Sequence, residues 1–190
     1  IKPIDGNHGK GNTTNIINRE QALKAFEAAK PYGRNVIVEK FITGFDFRAL
    51  VVNYKFICAA LRTPAAVTGD GVNTIQYLIN ETNKDPRRGY GHEKVLTQIT
   101  IDQFTQKMLD DVSYTLETVP AKGELVLLKP TANLSTGGTS TDVTDEVHPA
   151  NVFMFERIAR IIGLDICGID IMVKDLRSPI NEIGGAILEV

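Results

Sequence analysis

Two carboxylates near the end of the chain stand where charge is unfavourable. Asp170 lies between two isoleucines in Cys167-Gly-Ile-Asp-Ile-Met-Val-Lys-Asp175, and Glu189 lies between Leu188 and Val190. Both segments read as short apolar strands. Side chains alternate along a strand, so Asp170 shares a face with Gly168 and Met172, and Glu189 shares one with Ile187. A hairpin across Lys174 to Ile183 brings the two acids to one spot. Ionised carboxylates in such surroundings need a compensating cation. A hard divalent ion such as Mg²⁺, which takes oxygen ligands and keeps waters and phosphates, meets that need. An arginine paired to each acid meets it equally well, and spacing alone leaves both open.

A second stretch with chemical potential opens the chain. Lys2-Pro-Ile-Asp-Gly-Asn-His-Gly-Lys-Gly11 sets three glycines, two lysines and a histidine in ten positions. Glycine lets backbone N–H groups approach an anion and lysine adds charge, which suits a flap over a nucleotide. It is no P-loop, because the earlier glycine spacing is missing and Asn12 stands in place of Ser or Thr. A third stretch, Thr131-Ala-Asn-Leu-Ser-Thr-Gly-Gly-Thr-Ser-Thr-Asp142, is dense in hydroxyls that can bind a carboxylate or phosphate, though such tracts are also plain loops. Glu39, Asp46 and Arg48 are charges within strand-like segments, where the solvated face of an antiparallel sheet would also explain them.

The elements that must position these residues follow from periodicity and capping. Asn18 and Gln21 form a capping-box pattern before a helix with Ala22, Leu23, Phe26 and Ala29 on its apolar stripe. Asn35 to Ile42 reads as a strand, and Asp46 to Val52 with Phe56 to Leu61 reads as a hairpin turning near Asn53. Residues 62–100 leave the sheet around one helix, capped by Asn73 and Gln76 and packed through Ile75, Leu78 and Ile79. Asp102 to Val112 is a helix that buries Phe104, Met108, Leu109 and Val112, and Glu124 to Lys129 returns to strand. A last helix, Asn151 to Ile162, is stopped by Gly163. The order is that of an α+β protein.

Composition sets outer limits. With 190 residues, 43% hydrophobic, the chain can bury a core and form one or two domains. A net charge of −2 without long basic runs argues against a protein built to bind nucleic acid. No apolar run reaches membrane-span length and no signal peptide is visible, so a soluble, cytoplasmic protein is expected. Cys58 and Cys167 read as buried thiols rather than a disulfide framework. The chain opens without Met, inside a motif, and stops in a strand, so it reads as a piece of a larger protein.

Taken together, a glycine-rich flap, a strand ending in an acid, an acid shortly after a glycine and two late acidic strands resemble the ATP-grasp fold. Within that class the match is close to the ATP-grasp region of the cyanophycin synthetase family. It is carried by the Lys2–Gly11 stretch, Gly44-Phe-Asp-Phe-Arg48, Pro64 to Gly71, Asp85 to His92, Asn133 to Asp145 and Cys167 to Asp170. The resemblance runs over essentially the whole chain, as an incomplete ATP-grasp fold. It divides the chain into a small subdomain with flap and hinge (1–61), a lid-like excursion (62–100) and a truncated carboxy-terminal subdomain with the metal-binding strands (101–190).

The family implies ATP-dependent amide-bond formation through an acyl phosphate, adding L-aspartate to the backbone of a cyanophycin peptide primer. L-arginine is added through a further domain, and the full-length enzyme is expected to be a homo-oligomer without nucleic-acid or membrane partners. ATP and Mg²⁺ are the implied cofactors. By motif, Lys2 contacts phosphates, and Gly6, Gly9, Lys10 and Gly11 belong to the flap. Glu39, Lys40, Phe41 and Ile42 match the hinge that reads adenine, Asp46 takes the ribose, and Asp170 and Glu189 match the Mg²⁺ ligands. Arg48, His8 and Ser135 are the catalytic candidates, with Asn133, Ser135 and Arg48 binding substrate; the planar fork of arginine suits a carboxylate. The family's asparagine two positions after the second metal-binding acid, and its earlier phosphate-binding lysine, have no counterpart here, so the isolated chain is expected to lack ligase activity. The rival reading is the ATP-grasp part of a bifunctional glutathione synthetase, and a reading from another class is a non-catalytic nucleotide-binding module. A protein-kinase reading fails for want of a His-Arg-Asp loop and an Asp-Phe-Gly segment.

Overall fold

A computed structural model describes residues 1–5, 10–91 and 93–190, and its contacts divide the chain into two units, Ile1–Thr43 and Gly44–Val190. In the first unit, β1 (Lys2–Pro3) pairs antiparallel with β2 (Val36–Ile37), beside helix α1 (Arg19–Ala29). The Asn18 side chain accepts from the Gln21 N–H at 2.9 Å, and Gln21 in turn accepts from the Ile17 N–H at 3.0 Å, so the helix starts as expected. The buried face differs from the expected stripe. Ala29 is buried as expected, but Ala25 is buried with it, whereas Leu23 and Phe26 are exposed. Two small residues at i and i+4 admit a close backbone approach, and a Cβ on Gly11 would stand 3.2 Å from the Ala29 Cα. The strand expected from Asn35 to Ile42 is confined to Val36–Ile37, because β1 offers only two residues to pair with.

In the second unit, alternation decides the architecture. Strands β3 (Phe45–Val52) and β4 (Lys55–Thr63) form a hairpin through Asn53 and Tyr54, both with positive φ (49° and 58°), the backbone signature of a two-residue type I′ turn. The chain then builds β5 (Ala66–Thr68), α2 (Ile75–Asn83), β6 (Arg88–Gly89), β7 (Leu96–Thr97), α3 (Gln103–Asp110) and β8 (Leu125–Leu127). It returns with β9 (Thr139–Asp142), α4 (Pro149–Ile162), β10 (Ile166–Val173), the short helix α5 (Ile180–Ile183) and β11 (Ala186–Glu189). Five strands make one antiparallel sheet in the order β11-β10-β3-β4-β9.

One side of that sheet is core. Phe47, Ala49 and Val51 from β3, Ala59 from β4, and Ile169, Ile171 and Val173 from β10 pack with Phe155 and Ala159 of α4. Fully burying a side chain such as Phe155 contributes about 1.5–3 kcal/mol. The alternate residues, including Asp46, Arg48, Arg62 and Asp170, occupy the opposite, open face. The α4 residue Asn151 is fully buried and staples the connection between β10 and β11. Its amide donates to the Leu176 and Ser178 carbonyls at 3.0 and 2.9 Å, while its oxygen accepts from the Ile180 N–H at 2.9 Å. Gly163 ends α4 with φ 81°, as the sequence predicts.

A second core lies under the segment between β4 and β9: Ala65, Val67, Ile75, Ile79, Ile99, Leu109, Val126 and Leu128. The cap of α2 is Thr74, which accepts from the Tyr77 N–H at 3.2 Å, rather than Asn73. Asn73 instead donates its N–H and amide to Asp70 at 2.8 and 2.6 Å. Helix α3 buries Leu109 as expected, but Thr105 is buried in place of Phe104, and Val112, past the helix end, is exposed. Buried Lys129 accounts for this rotation. Its ammonium donates to Thr105 Oγ1 at 3.0 Å and the Thr100 carbonyl at 2.9 Å, and pairs with Asp102 Oδ2 at 2.6 Å, which draws the Thr105 side inward. Both cysteines are free thiols. Cys167 is buried, and burial raises its pKa, while Cys58 is only half-buried.

Candidate functional site

The open face of the five-stranded sheet carries alternating charges across three neighbouring strands. Arg48 of β3 stands opposite Asp170 of β10, and Asp46 of β3 stands opposite Arg62 of β4. Arg48 Nη1 donates to Asp170 Oδ1 at 2.7 Å. Arg62 reaches the other Asp170 oxygen with Nη2 at 3.0 Å, and donates Nε and Nη2 to Asp46 Oδ1 at 2.8 and 2.6 Å. The side chains of Asp170, Arg62 and Asp46 are only 15, 19 and 26% exposed, so this is no ordinary surface ladder. Burial raises the Asp46 pKa against the opposing pull of Arg62. Burial likewise opposes the charge on Arg62, but its bonds to Asp46 and Asp170 outweigh that and raise its pKa.

Two local irregularities assemble this face. Register shifts between Leu50 and Val51 where β3 meets β4, so that Arg62, and not Leu61, lies opposite Asp46. Register shifts again where β10 meets β11. Ile187 lies opposite Ile171 on the core side, whereas Glu189 lies opposite Asp170. Glu189 therefore does not share a face with Ile187 as simple alternation predicts, and the extra residue Leu188 is the reason. Gly168 completes the arrangement: a Cβ there would stand 2.3–2.5 Å from the Arg48 guanidinium. Only glycine at 168 lets Arg48 lie flat along β10 toward Asp170.

The expected convergence of Asp170 and Glu189 is thus present in the register, and the arginine partner expected for each acid is found at Asp170 but not at Glu189 among the described residues. Asp170 is satisfied by two arginines, while Glu189 is exposed and makes no ion pair among the described residues. Each Asp170 oxygen uses one of its lone pairs on an arginine and keeps another, and Glu189 adds a free carboxylate across the strand. This all-oxygen pair fits a hard divalent ion that completes its shell with water and phosphate. Among the described residues no group of three or more His, Cys, Asp or Glu side chains gathers to form a complete protein cage.

The other expected residues belong to other segments of the chain. In the first unit, Lys2 pairs with Glu39 at 2.7 Å, and Lys40 and Phe41 are exposed outside any strand, with Ile42 half-buried. Lys10 is exposed, and Gly11 adopts φ 71° against Tyr32. Gly6, His8 and Gly9 lie outside the described residues. In the second unit, Asn133 and Ser135 are exposed on a single 3₁₀ turn, Leu134–Thr136, immediately before β9. That strand places Ser140 opposite Arg62, so the loop enters the sheet beside the charged face. Arg62 is the residue that sequence reasoning missed.

Comparison with known proteins adds identity to this geometry. The full chain is 50% identical over 190 residues to cyanophycin synthetase of Trichormus variabilis, of which it covers 21%. It is 35% identical over 182 residues to the glutathione biosynthesis bifunctional protein GshAB of Pasteurella multocida, with 94% of the chain and 24% of that protein aligned. The crystal structure of a bifunctional glutathione synthetase from Pasteurella multocida superimposes with a TM-score of 0.72 at 34% identity, covering 99% of this chain and 26% of that one. The chain carries part of an ATP-grasp fold. It spans about one fifth of the length of the cyanophycin synthetases it matches. No protein-family model matches it. Placed on the ATP-grasp fold, the late antiparallel pair β10–β11 and the hairpin β3–β4 are the strands that carry Asp170, Glu189, Asp46 and Arg48.

Proposed function

We propose that the chain forms part of an ATP-dependent carboxylate–amine ligase that extends the backbone of cyanophycin with L-aspartate. The observation that carries this reading is identity of 47–50% to cyanophycin synthetases over the entire chain, against 32–35% to the glutathione proteins. In this reading a peptide carboxylate oxygen attacks the γ-phosphorus of ATP, the bond to the β,γ-bridging oxygen breaks, and ADP leaves. The amine of aspartate then displaces phosphate from the acyl phosphate. Asp170 and Glu189 would hold Mg²⁺, which when bound supplies charge neutralisation to the phosphates.

The chain's own residues do the positioning. Arg48, half-exposed with its guanidinium anchored at one end on Asp170, presents its remaining donors to a carboxylate or acyl phosphate. Arg62 holds Asp46 and Asp170 in fixed orientation, leaving Asp46 to accept from a ribose hydroxyl. Lys2 exchanges Glu39 for phosphate, and Glu39 to Ile42 read the adenine edge. Lys10 and Gly11 serve the flap together with Gly6, His8 and Gly9, while Asn133 and Ser135 bind the peptide. The flap excludes water from the acyl phosphate.

The test uses the full-length protein that carries this chain, incubated with ATP, Mg²⁺, aspartate, arginine and a short Asp-Arg primer. Stepwise mass gain of the primer with ADP release supports the proposal, and Asp170→Ala is expected to abolish it. No extension, with γ-glutamylcysteine ligated to glycine in the parallel reaction, would transfer the assignment to glutathione synthesis. Nucleotide binding with neither product would leave a non-catalytic module. The isolated 190-residue chain is expected to make no amide bond in either reaction.

A further inference from the structure

Arg88 belongs to none of the groups assigned above, yet it is only 6% exposed. Among the described residues its guanidinium forms no ion pair with a carboxylate. Nη1 donates to the Thr97 carbonyl at 2.7 Å and to the Gly137 carbonyl at 2.9 Å, and burial lowers its pKa. The second of these bonds runs from β6 to the loop that carries Asn133 and Ser135, 49 residues further along the chain.

The loop is built to be held at that point. Gly137 takes φ 94° and closes the 3₁₀ turn, donating its N–H to the Leu134 carbonyl at 3.1 Å. A Cβ on Gly137 would stand 2.8 Å from Ile99, and one on Gly138 would stand 2.8 Å from the Asn133 carbonyl oxygen. Ile99 is itself clasped by Asn83, whose amide donates to the Ile99 carbonyl at 2.9 Å and accepts from its N–H at 2.8 Å. The main chain at Gly137 is thus held by Arg88 and closely approached by Ile99, while Asn133 and Ser135 stay exposed.

We infer that Arg88 is a positioning residue for the peptide acceptor: it fixes the carbonyl of Gly137 and so sets where Asn133 and Ser135 present their polar groups. This rests on the reading of that loop as the substrate side of the ligase. Arg88 touches neither nucleotide nor peptide, so its loss changes acceptor binding while leaving nucleotide binding in place.

The experiment compares Arg88→Met and Arg88→Lys in the full-length protein by steady-state kinetics and by amide hydrogen exchange across residues 133–139. For Arg88→Met, KM for the Asp-Arg primer is expected to rise about tenfold with KM for ATP unchanged, and loop amides to exchange faster while those of β3 and β10 do not. Arg88→Lys, which keeps a charged donor, is expected to restore part of both. Unchanged loop exchange would overturn the inference. So would a parallel rise of both KM values with faster exchange throughout, which marks a merely structural residue. Faster loop exchange with an unchanged primer KM would overturn it as well. In that last case Asn133→Ala tells which premise failed: an unchanged primer KM there removes the loop from the substrate site, and a raised one removes only Arg88.

Discussion

Arg62 and Arg88 bring the same head group into poorly hydrated surroundings and are compensated in opposite ways. Arg62 rests on two carboxylates, Asp46 and Asp170, on an open sheet face. Arg88 rests on two main-chain carbonyls in a packed segment. A carboxylate partner leaves an arginine exchangeable, because another cation or anion can enter the same set of charges. A carbonyl partner has no charge to trade, so the arginine becomes a fastener of the backbone. The first arrangement leaves charge on a face open to solvent, and the second ties the main chain in place.

The comparison breaks most readily at Asp170. Removing that carboxylate leaves the Arg48 and Arg62 guanidiniums side by side, and Asp170→Ala is expected to lower unfolding free energy by about 3 kcal/mol, the low end for a broken buried pair because Arg48 is half-exposed. Denaturant unfolding measures it, and the double variant Asp170→Ala with Arg62→Met should recover part of the loss if charge compensation is the cause. No recovery would mean that packing and not charge dominates the face. Arg62→Gln comes next, at about 1.5 kcal/mol, with the Asp46 carboxyl moving further up because its nearest cation has gone. An NMR titration of Asp46 reads this directly, and a downward move would contradict the assignment of Arg62 as its partner.

The smallest effect sharpens the contrast from the side of an anion. Asp70 is held by main-chain donors, the Val72 and Asn73 N–H groups at 2.8 Å each, so it is the converse of Arg88. Bonds from the Asn73 backbone and side chain and the Val72 N–H lower its pKa from 3.8 to about 2. A depressed folded-state pKa contributes stability above the unfolded value, so this contribution is complete above pH 3.8 and is lost as pH falls toward about 2. Asp70→Asn should flatten that part of an acid-unfolding curve, and an unaltered curve would show that the turn owes nothing to the charge.

Much of this is legible in the sequence. Acids embedded in apolar strands flanking a turn-rich bridge announced the meeting of Asp170 and Glu189, and the Asn53 turn announced the β3–β4 hairpin. The helix cap at Asn18 is readable because it is local, whereas the cap read at Asn73 falls on its neighbour Thr74 because Asn73 is engaged by Asp70. The buried faces of α1 and α3 are not: Thr105 turns inward toward Lys129, which lies 24 residues further along the chain, and nothing in the periodicity of either helix reports such a partner. Arg62 was hidden by arithmetic. Counting back from the hairpin turn puts Leu61 opposite Asp46, and only the register shift beside Val51 exchanges the two. The Arg87-Arg88 pair reads as surface charge or as a place for an acidic ligand, because an arginine among such charges looks the same in sequence whether it faces water, an anion or a carbonyl.

The two register shifts have a consequence for how relatives of this chain should be aligned. On straight ladders Leu61 and Leu188 would face Asp46 and Asp170, and both polar residues behind them would fall out of phase with the open face. Removing one residue at each shift, Ile57 or Leu188, would straighten the ladder and still leave the arginine and the glutamate opposite their acids. A relative that is one residue shorter at either place can therefore present the same charges, while one of equal length with a straight ladder cannot. Spacing measured along the chain is a poor guide to this face, and position counted across the strands is the coordinate that its chemistry obeys.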